Sequence, residues 1–204
     1  DVYSSALVGI YTPNQIANLL GFKSKIKLEQ QKILEIGCGV GDFLRNLSSK
    51  NEGKILSTDI SPAMLLSGFL RGNFKGKQIE VAEASKYHKD KLYDLVIANF
   101  IIDTTPTPID TIKSISANLR TGGKLLLSTP LPIRQTQTSG KVRFTVKGQE
   151  IGKSLNPLTD MESLKKSLEK FELMVKKIMV TTYKETDMGV FDELCAFVYV
   201  CEKN

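Results

Sequence analysis

Five short runs rich in Ile, Leu and Val set the strongest limit on what this chain can fold into. They are Ile33–Ile36, Gly53–Thr58, Ile79–Ala82, Leu95–Ala98 and Lys124–Ser128. Near-continuous apolarity over so few residues marks strands covered on both faces, the pattern of a parallel sheet. Between the runs, apolar residues recur at three- and four-residue spacing. This predicts helices at Asp42–Ser49, Ser61–Arg71 and Pro108–Leu119. Ser61 stands where an N-cap belongs and Pro62 in the first turn behind it. Thr121-Gly122-Gly123 supplies a glycine stop after the third helix. Such alternation predicts an α/β fold, a doubly wound and mostly parallel sheet.

After Pro130 the rhythm breaks. Residues 131–157 hold three glycines, Pro157, many Thr, Gln and Ser, and one alternating piece at Lys141–Lys147. We read them as a substrate-side insertion with one strand of its own, because long connections in compact domains are usually functional or disordered. Thr159 and Asp160 then cap a helix over Met161–Phe171. The runs Val175–Tyr183 and Leu194–Cys201 close the chain around Gly189. So short a turn requires them to be antiparallel. The expected sheet therefore has seven strands, the last of them antiparallel.

A length of 204 residues suits a single domain over 1–204, with residues 1–30 as an N-terminal lid or cap segment. Its three cysteines, Cys38, Cys195 and Cys201, form no C-x-x-C pair. A reducing compartment follows as the expectation, hence a cytoplasmic protein with no disulfide or metal. The longest uncharged apolar run, the eight residues between Asp94 and Asp103, is far below the ~20 residues of a membrane span. No secretory signal is legible, and a chain beginning at Asp1 rather than Met leaves open what lay upstream.

The chemistry concentrates in Ile33-Leu34-Glu35-Ile36-Gly37-Cys38-Gly39-Val40-Gly41-Asp42. A buried strand runs into three alternate glycines, which let the chain turn tightly and let a ligand approach the backbone. Glu35 is an acid inside an apolar strand, costly unless it meets a partner or a cleft. Asp59 ends the next strand, eighteen residues past Gly41, where an acid can accept hydrogen bonds from ribose hydroxyls. A dinucleotide fingerprint wants glycine where Asp42 stands, and an acid opposes a pyrophosphate. The ligand that fits has a ribose, no phosphate and a positive charge, as S-adenosylmethionine does.

Here the chain resembles the class I S-adenosylmethionine-dependent methyltransferases, with their Rossmann-like fold. Glu35 through Gly41 matches their first motif, and Asp59-Ile60-Ser61-Pro62-Ala63-Met64-Leu65 their second. Ala82-Glu83-Ala84 is a variant of their usual Gly-Asp-Ala. Tyr93–Phe100 and Leu119–Pro130 resemble the approaches to strands four and five. The resemblance spans about residues 30–130. It implies that Glu35, Gly37, Cys38, Gly39, Gly41, Asp59, Ile60 and Met64 contact the cofactor. It further implies that Glu83 and Ala84 face the adenine and that Asn99 lies near the methionine moiety.

Displacement at a sulfonium needs in-line geometry, and a base only when the nucleophile is a hydroxyl or carbon acid. The resemblance places Asp103 toward substrate, although it equally suits the cap of the following turn. His88, the only histidine, lies in a charged loop and reads as a solvated surface residue. Tyr11 is a candidate lid contact. The net charge of +6 gathers partly in the insertion, where Arg134 and Arg143 are candidates for holding an acidic or carrier-bound small-molecule acceptor. Ordinary solvation of a polar loop explains those bases equally well. An RNA acceptor is a second reading, although Asn99-Phe100-Ile101-Ile102 lacks the Asn-Pro-Pro-Tyr-like wording of base-amino methyltransferases. A non-catalytic cofactor-binding module is the third.

Overall fold

A computed structural model describes residues 13–45, 47, 54–88, 92–129, 144–146, 149–151, 161–187 and 190–204. Two short helices, α1 (Pro13–Leu19) and α2 (Lys25–Glu29), lead into β1 (Ile33–Ile36). Then follow β2 (Ile55–Asp59), α3 (Pro62–Leu70), β3 (Gln78–Val81), β4 (Tyr93–Asn99), α4 (Pro108–Asn118) and β5 (Leu119–Thr129). The chain continues through β6 (Phe144–Val146), β7 (Gln149–Ile151), α5 (Met161–Lys170), β8 (Leu173–Asp187) and β9 (Val190–Lys203). The main sheet has seven strands in the order β3-β2-β1-β4-β5-β9-β8. The pairings of β1 to β5 are parallel, and β9 runs antiparallel to both β5 and β8, as the sequence predicts.

Strand periodicity divides the core. Leu34, Ile36, Val96, Ala98, Leu125 and Leu127 join Ile112 and Ile115 of α4 and Leu164 and Leu168 of α5 in one apolar cluster. The intervening Ile33, Leu95, Ile97 and Leu126 join Ile16, Ala17 and Leu20 in another. Burying each such side chain contributes about 1.5–3 kcal/mol. The described part of the N-terminal segment thus covers one face of the sheet. Lys124 fastens it by donating to the Leu20 carbonyl, with its ammonium 5.1 Å from the Phe22 ring centre.

Four expectations change. Residues 42–45, expected to start a helix, form turns instead, and buried Phe43 and Leu44 press this compact segment into the core. The glycine stop after α4 lies within β5, whose register against β4 shifts between Tyr93 and Leu95. The insertion carries two described strands rather than one, β6 and β7, paired antiparallel. The closing hairpin is longer than its apolar runs: β8 and β9 pair from Leu173↔Lys203 to Asp187↔Val190. Because β9 leaves β5 at Phe197↔Thr129, the rest of this hairpin continues past the carboxyl end of β5.

Candidate cofactor site

The sheet order brings the carboxyl ends of β2, β1 and β4 side by side, with Ile36 paired to Thr58 on one flank and to Ala98 on the other. Open α/β sheets bind ligands at this edge. A cavity of about 270 Å³ opens there. Its lining includes Glu35, Gly37, Cys38, Gly39, Asp59, Ile60, Met64 and Asn99 from the sequence reading.

The glycine loop is shaped by close approaches. Gly37, Gly39 and Gly41 all have positive φ, at 69°, 56° and 76°. A Cβ on Gly37 would lie 2.8 Å from Ile101 Cδ1, and one on Gly41 only 2.2 Å from the Phe74 ring. Cβ atoms do not come so close, so both positions require glycine or a shifted neighbour. Gly41 therefore serves packing behind the cavity rather than lining it. Asp42 also points away from the cavity. Its Oδ1 accepts from Asn73 Nδ2 at 2.9 Å and from Arg45 at 3.2 Å, while Asn73 also donates to the Val40 carbonyl. The residue that breaks the dinucleotide pattern is a clamp on the loop.

Asp59 ties the loop to the next element. Its Oδ2 accepts from the Gly39 N–H at 2.8 Å and its Oδ1 from the Ser61 N–H at 2.8 Å. Ser61 caps α3 through Met64 N–H, as expected. Each carboxylate oxygen retains a further lone pair for a ligand hydroxyl. Asn99 accepts from Ser128 Oγ at 2.9 Å, whereas its buried Nδ2 makes no hydrogen bond among the described residues. A buried donor without an acceptor is costly, and a ligand oxygen in the cavity would relieve it.

Glu35 is 3% exposed. Burial pushes its carboxyl up to about 7, against a hydrogen bond from Ser57 Oγ at 2.8 Å and the attraction of Lys77. Asp59 and Asp42 add to the upward push. Burial also pushes the Cys38 thiol up, with Glu35 and Asp59 adding to it, so it is no thiolate at neutral pH. The folded state thus binds the Glu35 proton more tightly than the unfolded chain does. Its contribution to stability is full below pH 4.5 and is lost as the pH rises through about 7. Without cofactor, Glu35→Gln is expected to gain up to about 3 kcal/mol on wild type between pH 4.5 and 8. Urea unfolding at both pH values measures this, and a constant difference would refute it.

The other expected contacts fall elsewhere. Glu83 turns to Lys86 Nζ and Ser85 Oγ, both at 2.7 Å, which hold its carboxyl below the usual range. It borders a separate depression beside α4, and neither it nor Ala84 lines the cavity. Asp103 is buried, at 4% exposure, and the cavity wall is made by its neighbour Thr104. The cap of α4 is Thr107. His88 is exposed, as expected. Tyr11, Arg134 and Arg143 lie outside the described residues. Sequence reasoning missed Phe43, Ser61, Phe100, Ile101 and Thr104 as lining residues. Phe100 is held at φ +52°, a rare conformation for an aromatic residue, as the chain leaves β4.

A family model described as methyltransferase domain matches residues 10–176. The chain belongs to the methyltransferase domain family. Among solved structures, an S-adenosylmethionine-dependent methyltransferase from Methanosarcina mazei aligns with TM-score 0.63 at 18% identity, covering 86% of this chain and 93% of that one. The N-methyltransferase NodS from Bradyrhizobium japonicum, in complex with S-adenosyl-L-homocysteine, aligns with TM-score 0.58 at 13% identity, covering 84% and 76%. Such identities show the fold alone. Among curated proteins, a malonyl-[acyl-carrier protein] O-methyltransferase of Paenibacillus sp. is 30% identical over 113 residues, 52% of this chain and 41% of that protein. A tRNA U34 carboxymethyltransferase of Nautilia profundicola is 26% identical over 112 residues, 52% and 37%. The chain thus spans about two fifths of the length of these curated relatives. The cofactor of this methyltransferase domain is S-adenosylmethionine, and the cavity fits it. Two acids suit a cationic ligand with ribose hydroxyls, and an amide N–H awaits an acceptor.

Proposed function

We propose that this methyltransferase domain transfers a methyl group from S-adenosylmethionine to the carboxylate of a small or carrier-bound acid. The observation that supports this is the make-up of the wall around Glu35 and Asp59. Apart from Glu35 and Asp59, which this reading gives to the cofactor, the described lining residues, among them Phe43, Ile60, Met64, Phe100, Ile101 and Thr104, offer no base able to take a proton near pH 7. A carboxylate acceptor is already ionised at that pH and needs no base. The similarity to a malonyl-[acyl-carrier protein] O-methyltransferase agrees with this reading.

When bound, the cofactor supplies an electrophilic methyl carbon on a sulfonium. Ionised Glu35 would stabilise its positive charge, and Asp59, which holds the glycine loop through Gly39 and Ser61, would accept from its ribose hydroxyls. Asn99 Nδ2 would donate to an oxygen of the ligand, and Phe43, Phe100 and Ile101 would keep water from the reacting centre. Aligning nucleophile and methyl carbon in this way can lower the barrier by several kcal/mol. Glu35 being neutral below about pH 7, cofactor affinity rises with pH across that value.

A second reading, methyl transfer to RNA, is supported by the similarity to tRNA U34 carboxymethyltransferases and by a basic chain with a pI near 9.1. The deciding experiment measures transfer from methyl-labelled S-adenosylmethionine into malonyl-carrier protein, free dicarboxylic acids and bulk tRNA. Label in a base-labile ester on the acids supports the first reading, and label in tRNA alone overturns it. For an acid acceptor, Arg134→Glu with Arg143→Glu is expected to raise the acceptor KM at least about tenfold, one lost charge contact being worth 1.4 kcal/mol or more. Cofactor affinity stays as it was. Loss of cofactor binding instead would count against a substrate role for these arginines.

A further inference from the structure

Helix α3 turns an entirely apolar face to the surface. Pro62, Ala63, Leu66, Phe69 and Leu70 are all exposed, the last three by 59%, 63% and 76%. At helical spacing these five residues share one arc, opposite Leu65 and Gly68, the positions α3 buries. The exposed area of Leu66, Phe69 and Leu70 alone is on the order of 400 Å², the size at which an apolar patch marks an interaction site. Beside it lies the edge of the sheet. Among the described residues β3 pairs only with β2, and both Ile79 and Val81 are exposed. Ala82 donates its N–H inward to the Asp59 carbonyl at 2.9 Å. Alternation along the strand then directs the N–H and C=O groups of Ile79 and Val81 outward, where no described strand meets them.

We propose that this face is a two-fold homodimer interface, in which β3 pairs antiparallel with β3 of a second copy. The two α3 helices then lie side by side on the same face of the joined sheet. A second copy fits for three reasons. Antiparallel pairing centred on Ile79 sets it opposite Ile79 of the other copy as a doubly hydrogen-bonded pair, using the outward-facing groups. The same register sets Gln78 opposite Glu80, so like charges do not meet. The exposed α3 stripe with Ile79 and Val81 offers roughly 700 Å² per copy, near the about 800 Å² per partner of a stable interface. The two-fold axis also sends the exposed Arg71 and Lys75, which follow α3, to opposite ends of the interface.

Sedimentation velocity of the full chain between 1 and 100 µM tests this. A mass of twice 22.6 kDa is expected, with a dissociation constant at or below roughly 10 µM. Leu66→Glu with Leu70→Glu, and separately Ile79→Lys, are expected to raise that constant at least about 100-fold. None of these residues lines the cofactor cavity, so S-adenosylhomocysteine binding and cooperative unfolding, compared with wild type at concentrations below the dissociation constant, serve as controls for folding. A monomer at 100 µM overturns the proposal, as does a dimer that survives both variants. A monomer that binds phosphatidylserine-containing vesicles through Leu66 and Leu70 overturns it in favour of a lipid surface.

Discussion

Asp59→Ala is expected to weaken S-adenosylhomocysteine binding by at least about 100-fold, some 3 kcal/mol, and to lower the unfolding temperature in the same protein. A residue that touched only the ligand would change the first quantity and leave the second. Asp59 does more, because its two oxygens receive the Gly39 and Ser61 N–H groups and so join the glycine loop to the start of α3. Hydrogen bonds to a charged acceptor contribute about 1.5–3 kcal/mol each. Asp59→Asn is expected to recover little of either loss. An amide offers one oxygen to two N–H donors and turns its own NH₂ toward the other. Calorimetry with thermal unfolding checks both parts. Wild-type affinity in the alanine variant would remove Asp59 from the site.

Gly41→Ala is expected to cost about 3 kcal/mol of stability, roughly 10 °C in a chain of this size. Part of that is a left-handed backbone, at φ +76°. The rest is the Phe74 ring, which would meet the new methyl at 2.2 Å while only 5% exposed. Adding Phe74→Ala to Gly41→Ala is expected to recover a portion of the loss, so the double variant falls short of additivity. Strict additivity would mean that the ring moves aside freely and that the loop is less constrained than its contacts indicate. Denaturant unfolding of the three variants measures this.

The centre of the sheet was legible because β1, β2 and β4 are buried on both faces, and a run such as Leu95–Ala98 leaves no other reading. The acids of the site were legible for the opposite reason: Glu35 and Asp59 are polar residues where polarity is costly. What escaped depends on side-chain hydrogen bonds and backbone turns that apolar periodicity does not report. Asp42 and Asn73 lie thirty-one residues apart, and their hydrogen bond belongs to a turn where local periodicity predicts a helix. Glu83 has Ser85 and Lys86 as near neighbours, and these draw its carboxylate away from the cavity. Thr104 lines the cavity while Asp103 is buried, in the turn that follows Phe100, and no property of the sequence announces a positive φ at an aromatic residue. The extra length of β8 and β9 is invisible for a simpler reason. Lys184, Glu185, Asp187, Asp192 and Glu193 break the apolar alternation that marked their inner halves.

Gly68 has one further consequence. A Cβ there would stand 2.3 Å from the Val40 carbonyl oxygen, so α3 rests on the backbone of the glycine loop with no side chain between them. Packing through side chains can absorb a shift by changing rotamers, but backbone resting on backbone cannot. Helix and loop therefore move as one rigid piece, and a ligand that stills the loop also stills the helix. Amide hydrogen exchange along Leu65–Leu70 becomes a remote gauge of cofactor occupancy, readable on residues that never touch the cofactor.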